Sequence, residues 1–262
     1  MTGRRRVIEN SGVDLAVVEY PGEGPAMVIL HGLAGSSREF ERTAHALAPH
    51  RVALVDLRGH GDSTREPADV SRDAFVSDVA RVIESLADGP VVLVGQSMGG
   101  HTAMLVAARH PHLVDRLVLL EAGVGGDGDA KSRLDLERYF ESWPVPFADR
   151  AAAGAFLGDS SLQRAWIDGL ERRVDGLWPR FRPDVMAAIM VEVDAHARWE
   201  EWERVAAPTL LVFGENGMFN PSMRTELTAR SRDASAVELS GGSHDAHLDA
   251  FPAWIAALRA FV

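Results

Sequence analysis

Val91-Val92-Leu93-Val94-Gly95-Gln96-Ser97-Met98-Gly99-Gly100 runs from four β-formers into a serine held between glycines at G-x-S-x-G spacing. Such a stretch reads as a nucleophile elbow. The strand-to-helix turn is so tight that the serine backbone is strained, and the flanking glycines leave no Cβ to strike the neighbouring strand or helix. The residues that follow, Met98 to Arg109, have the small side chains of a closely packing helix, which supplies the strand-turn-helix context the motif needs. Gly-rich turns carry the pentapeptide by chance; the flanking patterns are what make Ser97 a candidate nucleophile.

With 262 residues, 46% hydrophobic and 25% charged, the chain suits one large α/β domain with or without an insertion. No apolar run approaches the roughly 18 residues that span a bilayer. The basic start is not followed by the apolar stretch of a secretory signal, so a cytoplasmic location without membrane partners is expected. A net charge of -11 argues against nucleic acid as a partner, and Arg4, Arg5 and Arg6 read as a solvated tail. Zero cysteines exclude disulfides, thiolate metal sites and a cysteine nucleophile together. Of the 27 lysines and arginines only Lys131 is a lysine, which fits the codon bias of a GC-rich bacterial genome.

Seven apolar runs have strand length: Leu15 to Glu19, Ala26 to Leu30, Val52 to Val55, Val91 to Val94, Leu117 to Leu120, Thr209 to Phe213 and Ala236 to Leu239. Being nearly continuous, they suit a mostly parallel sheet buried on both faces, with crossover helices at Phe75 to Leu86, Met98 to Arg109, Ser222 to Ser231 and Phe251 to Phe261. From about Gly123 to Ala207 the alternation stops. No convincing strand shows there, only helical patterns at Ser132 to Ser142, Ser161 to Val174 and Asp184 to Ala195, broken by Pro144, Pro146, Pro179 and Pro183. The pattern predicts a core of residues 1–122 and 208–262 and a helical insertion over 123–207. Ten of the 18 aromatic residues (six Trp, two Tyr and ten Phe in all) fall in that insertion. Trp143, Trp166 and Trp178 are candidates for an apolar pocket over Ser97; the plainer alternative is that they fill the insertion's own core.

Four motifs in this order resemble the α/β-hydrolase superfamily, specifically its members with a helical cap, over nearly the whole chain. Leu30-His31-Gly32-Leu33-Ala34-Gly35 is similar to the family's His-Gly oxyanion loop, and Asp56-Leu57-Arg58-Gly59-His60-Gly61-Asp62-Ser63 to its turn after strand four. Gly241-Gly242-Ser243-His244 is similar to its histidine loop after the last strand, and the elbow is the fourth motif. The resemblance implies an α/β fold, a mostly parallel eight-stranded sheet with the cap inserted after strand six. It further implies backbone N–H groups of Leu33 and Met98 as the oxyanion hole and His244 as the base, with His247 as the local competitor. His31 is a candidate for the substrate pocket beside a packing role in its own turn, while His60 and His101 suit packing.

A serine hydroxyl is a poor nucleophile near neutral pH, so it needs a base, and the base needs an acid that holds its tautomer. Family members commonly carry that acid as an Asp in a Gly-x-x-Asp turn after strand seven. Here the turn reads Gly214-Glu215-Asn216-Gly217, and a glycine stands at the Asp position. Some relatives place the acid at the end of strand six, where this chain has Leu120-Glu121-Ala122-Gly123. Glu121 is therefore the expected acid, Glu215 the alternative, and a strand-end charge facing solvent the plain reading of Glu121. The expected reaction is hydrolysis of an ester or lactone of an apolar small molecule through an acyl-enzyme. Diketone carbon-carbon hydrolysis, thioester cleavage and biosynthetic cyclisation are alternatives, as is, in a different class, ligand binding without hydrolysis. No metal or cofactor is expected, because the histidines are scattered and the Gly-rich turn carries a serine where a dinucleotide needs close backbone approach. The sequence is as compatible with a homo-oligomer as with a monomer.

Overall fold

Each of the seven apolar runs lies in a strand in a computed structural model of the chain, which describes residues 2–126, 128 and 130–262. In chain order the strands are β1 (Arg4–Asn10), β2 (Val13–Tyr20), β3 (Glu23–Leu30), β4 (His50–Val55), β5 (Val91–Gln96), β6 (Val114–Leu120), β7 (Glu171–Arg173), β8 (Gly176–Trp178), β9 (Thr209–Asn216) and β10 (Ala234–Ser243). Eight of them build one sheet in the order β1-β2-β4-β3-β5-β6-β9-β10. The β1/β2 and β2/β4 pairs are antiparallel and the other five parallel, the mostly parallel sheet that was expected.

Successive side chains of a strand point to opposite faces, and here both faces are covered. Along β3, Met27 and Ile29 join Phe40, Trp254 and Leu258 on one side. Val28 and Leu30 join Phe75, Val79 and Leu105 on the other. The helices Arg72–Leu86 and Met98–Arg109 thus cover one face and the helix Phe251–Phe261 the other. Each such fully buried side chain contributes about 1.5–3 kcal/mol relative to exposure, which explains why the runs carry no polar alternation. Among the described residues no helix is long and apolar enough to cross a membrane.

Two expectations need correction. Arg4, Arg5 and Arg6 are not a tail; they open β1, whose register pairs Arg6 with Val17 of β2 at the sheet edge. Exposed charge on an edge strand discourages pairing with another chain, and edge and tail look alike in composition. The stretch between β6 and β9 is helical at Ala130–Glu141, Arg150–Leu157, Ser161–Gly169, Pro183–Asp194 and Trp199–Arg204, yet it also holds the antiparallel hairpin β7/β8. The helix expected over Ser161 to Val174 stops at Gly169. Val174 and Asp175 make the two-residue turn and Gly176, at φ 146°, opens β8, a local signal that outweighs the helical spacing before it.

Candidate active site

Ser97 stands where β5 gives way to the helix Met98–Arg109, with φ 51° and ψ −119°. A non-glycine residue in this region stores of order 1–3 kcal/mol. The turn closes because its neighbours are bare backbone: a Cβ on Gly95 would lie 2.4 Å from the Gly99 carbonyl, and one on Gly99 2.4 Å from that of His31. Met98 is the first helical residue, so its N–H has no intrahelical acceptor. Leu33 lies in the turn that the Gly35 N–H closes on the Gly32 carbonyl at 3.2 Å. That turn is pressed against the elbow, since a Cβ on Gly32 would sit 3.3 Å from Ser97 Cβ.

Glu121, at the tip of β6, is the second strained residue of the site, with φ 46° and 1% exposure. Its Oε1 accepts the Gly214 N–H at 2.8 Å, and its Oε2 accepts the Met218 N–H at 2.7 Å. Two amide donors stabilise the buried carboxylate. The same Oε2 lies 3.4 Å from His244 Nδ1. A proton on Nδ1 directed at Glu121 leaves Nε2 as the basic nitrogen. A Cβ on Gly217 would fall 2.1–2.5 Å from the atoms of the Glu121 carboxylate, so that carboxylate fills the space a side chain at position 217 would use. Glu215 is directed elsewhere: exposed, it accepts the Gly241 N–H at 2.7 Å and the Ser240 hydroxyl at 3.1 Å, which hold its pKa below the usual value.

The other histidines near the site pack. His247 is buried and stacks on Phe40 at 4.3 Å, and burial pulls its pKa down to about 4. His31 is 1% exposed beneath the oxyanion loop, its Nε2 accepting the Leu57 N–H at 3.0 Å and its Nδ1 facing the Gly32 carbonyl at 2.7 Å. Burial lowers its pKa to about 4, so it braces the loop as a neutral ring, and it does not line the cavity beside Trp143 and Trp166.

Two residues that sequence reasoning passed over belong to the site. Gln96 is 2% exposed, and its Nε2 donates to the His244 carbonyl at 3.1 Å and to Asp245 Oδ1 at 3.4 Å, tying the histidine loop to the residue before the nucleophile. Its signal was a polar residue ending an apolar strand. Glu39 has a side chain 5% exposed, 3.7 Å from His247 Nε2. Burial, opposed by the Ser36 N–H and reinforced by Asp56, pushes its pKa up to about 8. Nothing local in the sequence distinguishes it from a surface glutamate.

Ala34, Gly35 and Glu39 face Trp143, Trp166 and Phe181 of the inserted segment across a cavity of about 20 Å³, room for roughly one water. Trp143 is 4% exposed and packs on Trp166 at 5.4 Å and Phe181 at 5.5 Å. Trp178 is not part of this lining: it sits on the β7/β8 hairpin, its Nε1 donating to Asp175 at 2.9 Å and Arg173 lying over its ring at 5.1 Å. Among the described residues no three or more His, Asp or Glu side chains are grouped to hold a metal ion.

The family model described as the alpha/beta hydrolase fold matches residues 25–251. The chain is 29% identical over 239 residues to the sn-1-specific diacylglycerol lipase ABHD11 of Mus musculus, covering 86% of this chain and 76% of the lipase. It is 44% identical to Lipase LipV of Mycobacterium tuberculosis over 117 residues, 44% of each chain, so the matched part spans under half of LipV. A solved structure of E-2-(acetamidomethylene)succinate hydrolase superposes with a TM-score of 0.88 at 24% identity, covering 99% of this chain and 98% of that one.

Proposed function

This chain is a hydrolase of the alpha/beta hydrolase fold family, and from that premise we propose that it cleaves an ester or lactone of an apolar small molecule through a Ser97 acyl-enzyme. In this reading Ser97 Oγ attacks the carbonyl carbon while its proton passes to His244 Nε2. The oxyanion is held by the N–H groups of Leu33 and Met98, each worth on the order of 3 kcal/mol of barrier. Collapse of the tetrahedral intermediate expels the alcohol, which takes the proton back from His244, and water repeats the cycle on the acyl-enzyme. Glu121 is the acid that holds the His244 tautomer. The observation that carries the reading is the Glu121 carboxylate, seated on two amide N–H groups beside His244 in the space that Gly217 leaves open.

The aromatic wall formed by Trp143, Trp166 and Phe181 supports an apolar substrate body, and we assign residues 123–207 the role of a lid over it. Neither Ser97 nor His244 lines that cavity; in this reading a shift of the lid joins it to the nucleophile. The test is turnover across aryl esters of graded chain length, lactones, thioesters and diketones, with phosphonate labelling of Ser97. Ester or lactone turnover that vanishes with the label in Ser97→Ala supports the proposal. Absence of turnover and of labelling in the parent protein would favour ligand binding without hydrolysis.

A further inference from the structure

One helical turn beyond the nucleophile, the His101 ring is 2% exposed and neither nitrogen makes a well-aligned hydrogen bond. The Val124 carbonyl lies close enough to act on the ring as an acceptor, and it opposes the burial and the arginines that lower the His101 pKa. Arg72 opens the helix Arg72–Leu86 at 1% exposure; its Nη2 reaches Thr102 Oγ1, while its Nε and Nη1 are left without acceptors. Phe75 covers the guanidinium at 4.5 Å but offers no acceptor oxygen. Arg198, where the inserted segment returns to the core, has an unpartnered buried Nε, and its backbone N–H is fixed on the Val124 carbonyl at 2.9 Å. Gly125, at φ 70°, keeps the ground beside the imidazole clear, since a Cβ there would come within 3.1 Å of His101 Nε2.

The charges around this junction do not cancel through contacts. Arg109 binds Asp73 at 2.6 Å and shares Glu201 with Arg198, at 3.3 and 3.6 Å. Glu192 acts on Arg72 only at longer range, and Arg198 and Arg109 oppose it. Burial, then Arg198, brings the Arg72 pKa down to about 9, which leaves the guanidinium charged at neutral pH. A buried charge without a partner is costly, and so is each buried donor without an acceptor. Water would satisfy the donors; only an anion satisfies the donors and the charge together.

We propose that a small monovalent anion of halide size binds at this junction beside His101, taking hydrogen bonds from Arg72 and Arg198. It ties the helix that carries the oxyanion donor Met98 to both stems of the inserted segment, residues 123–126 and 195–198. Gly126 and Ala197 already touch there, as a Cβ on Gly126 would meet the Ala197 nitrogen at 2.1 Å.

The probe is chloride, titrated against gluconate at constant ionic strength while the unfolding midpoint of the full chain is read. A saturating rise of about 3 °C, specific to chloride and complete by about 50 mM, is expected. Slower amide exchange in the two stems should accompany it. Arg72→Met should erase the chloride response; crystals of the parent protein grown in bromide provide a second reading that does not depend on the variant's folding, with an anomalous peak between Arg72 and His101 expected. Equal midpoints in both salts, or bromide crystals with water alone at the junction, overturn the proposal.

Discussion

At the scale of single residues, the unusual member of the site is the acid. If Glu121 orients His244, Glu121→Gln keeps the shape and removes the charge that stabilises the imidazolium, and turnover should fall on the order of 10⁴-fold. Glu215→Gln should cost little, because its carboxylate is spent on Gly241 and Ser240. Steady-state kinetics on the two variants compares them directly, and the reverse ranking would return the acid to β9. The double variant Glu121→Ala with Gly217→Asp should recover part of the loss. Gly217 is not among the positive-φ glycines, so its backbone accepts a Cβ, and removing the Glu121 carboxylate clears the 2.1 Å clash that now forbids one. A double variant as slow as Glu121→Ala alone would show that position 217 does not reach His244 productively.

At the scale of elements, the aromatic segment between β6 and β9 divides its tryptophans between two jobs. Trp166 is partly buried on the cleft wall, and Trp166→Ala should shift preference towards bulkier acyl groups while turnover of a minimal acetate ester persists. Trp143 belongs to the continuous core as well as to the cleft. Trp143→Ala should therefore also lose about 3–5 kcal/mol of stability, read as a lowered denaturation midpoint. Trp178→Ala, away from the cleft on its hairpin, should leave the selectivity ranking unchanged. A selectivity change in Trp178→Ala equal to that in Trp166→Ala would place the substrate elsewhere.

At the scale of the whole molecule, buried titratable groups set the dependence of stability on pH. His31 and His247 titrate at about 4 and His60 at about 3 in the fold, against 6.5 when free. Below pH 6.5 the unfolded chain binds protons that the fold excludes, so stability rises with pH through that window. Glu39 acts in the opposite sense. It titrates at about 8 in the fold against 4.5 when free, so between those values the unfolded chain has released a proton that the fold retains, and stability falls as pH rises. Three histidines outweigh one carboxyl below pH 6.5, and Glu39 alone of these four acts above it. Stability should peak near pH 6.5 and decline towards pH 8, and Glu39→Gln should flatten the alkaline decline. Urea denaturation of both proteins at pH 6.5 and pH 8 measures this; an undiminished decline in the variant would remove Glu39 as its cause.

What the sequence determined by itself was whatever local sterics and periodicity control. The elbow was legible because only glycines at 95 and 99 permit the turn, and the central strands because burial on both faces demands continuous apolar runs. The glycine at 217 announced a missing side chain, and Glu121 could be named through the resemblance to relatives with an acid on strand six. The tertiary structure decided which groups meet. Gln96 reaches the His244 loop across 148 residues, and Glu39 meets His247 only after the short helices Ser37–Phe40 and Ala246–Asp249 pack together. It also decided that Arg4 to Arg6 pair as an edge strand and that Trp178 turns away from the cleft, since pairing partner and facing side depend on neighbours far along the chain. The depth of burial that leaves Arg72 Nε and Nη1 without acceptors likewise exists only once three elements close on one another, because desolvation belongs to the assembled core and not to any segment of it.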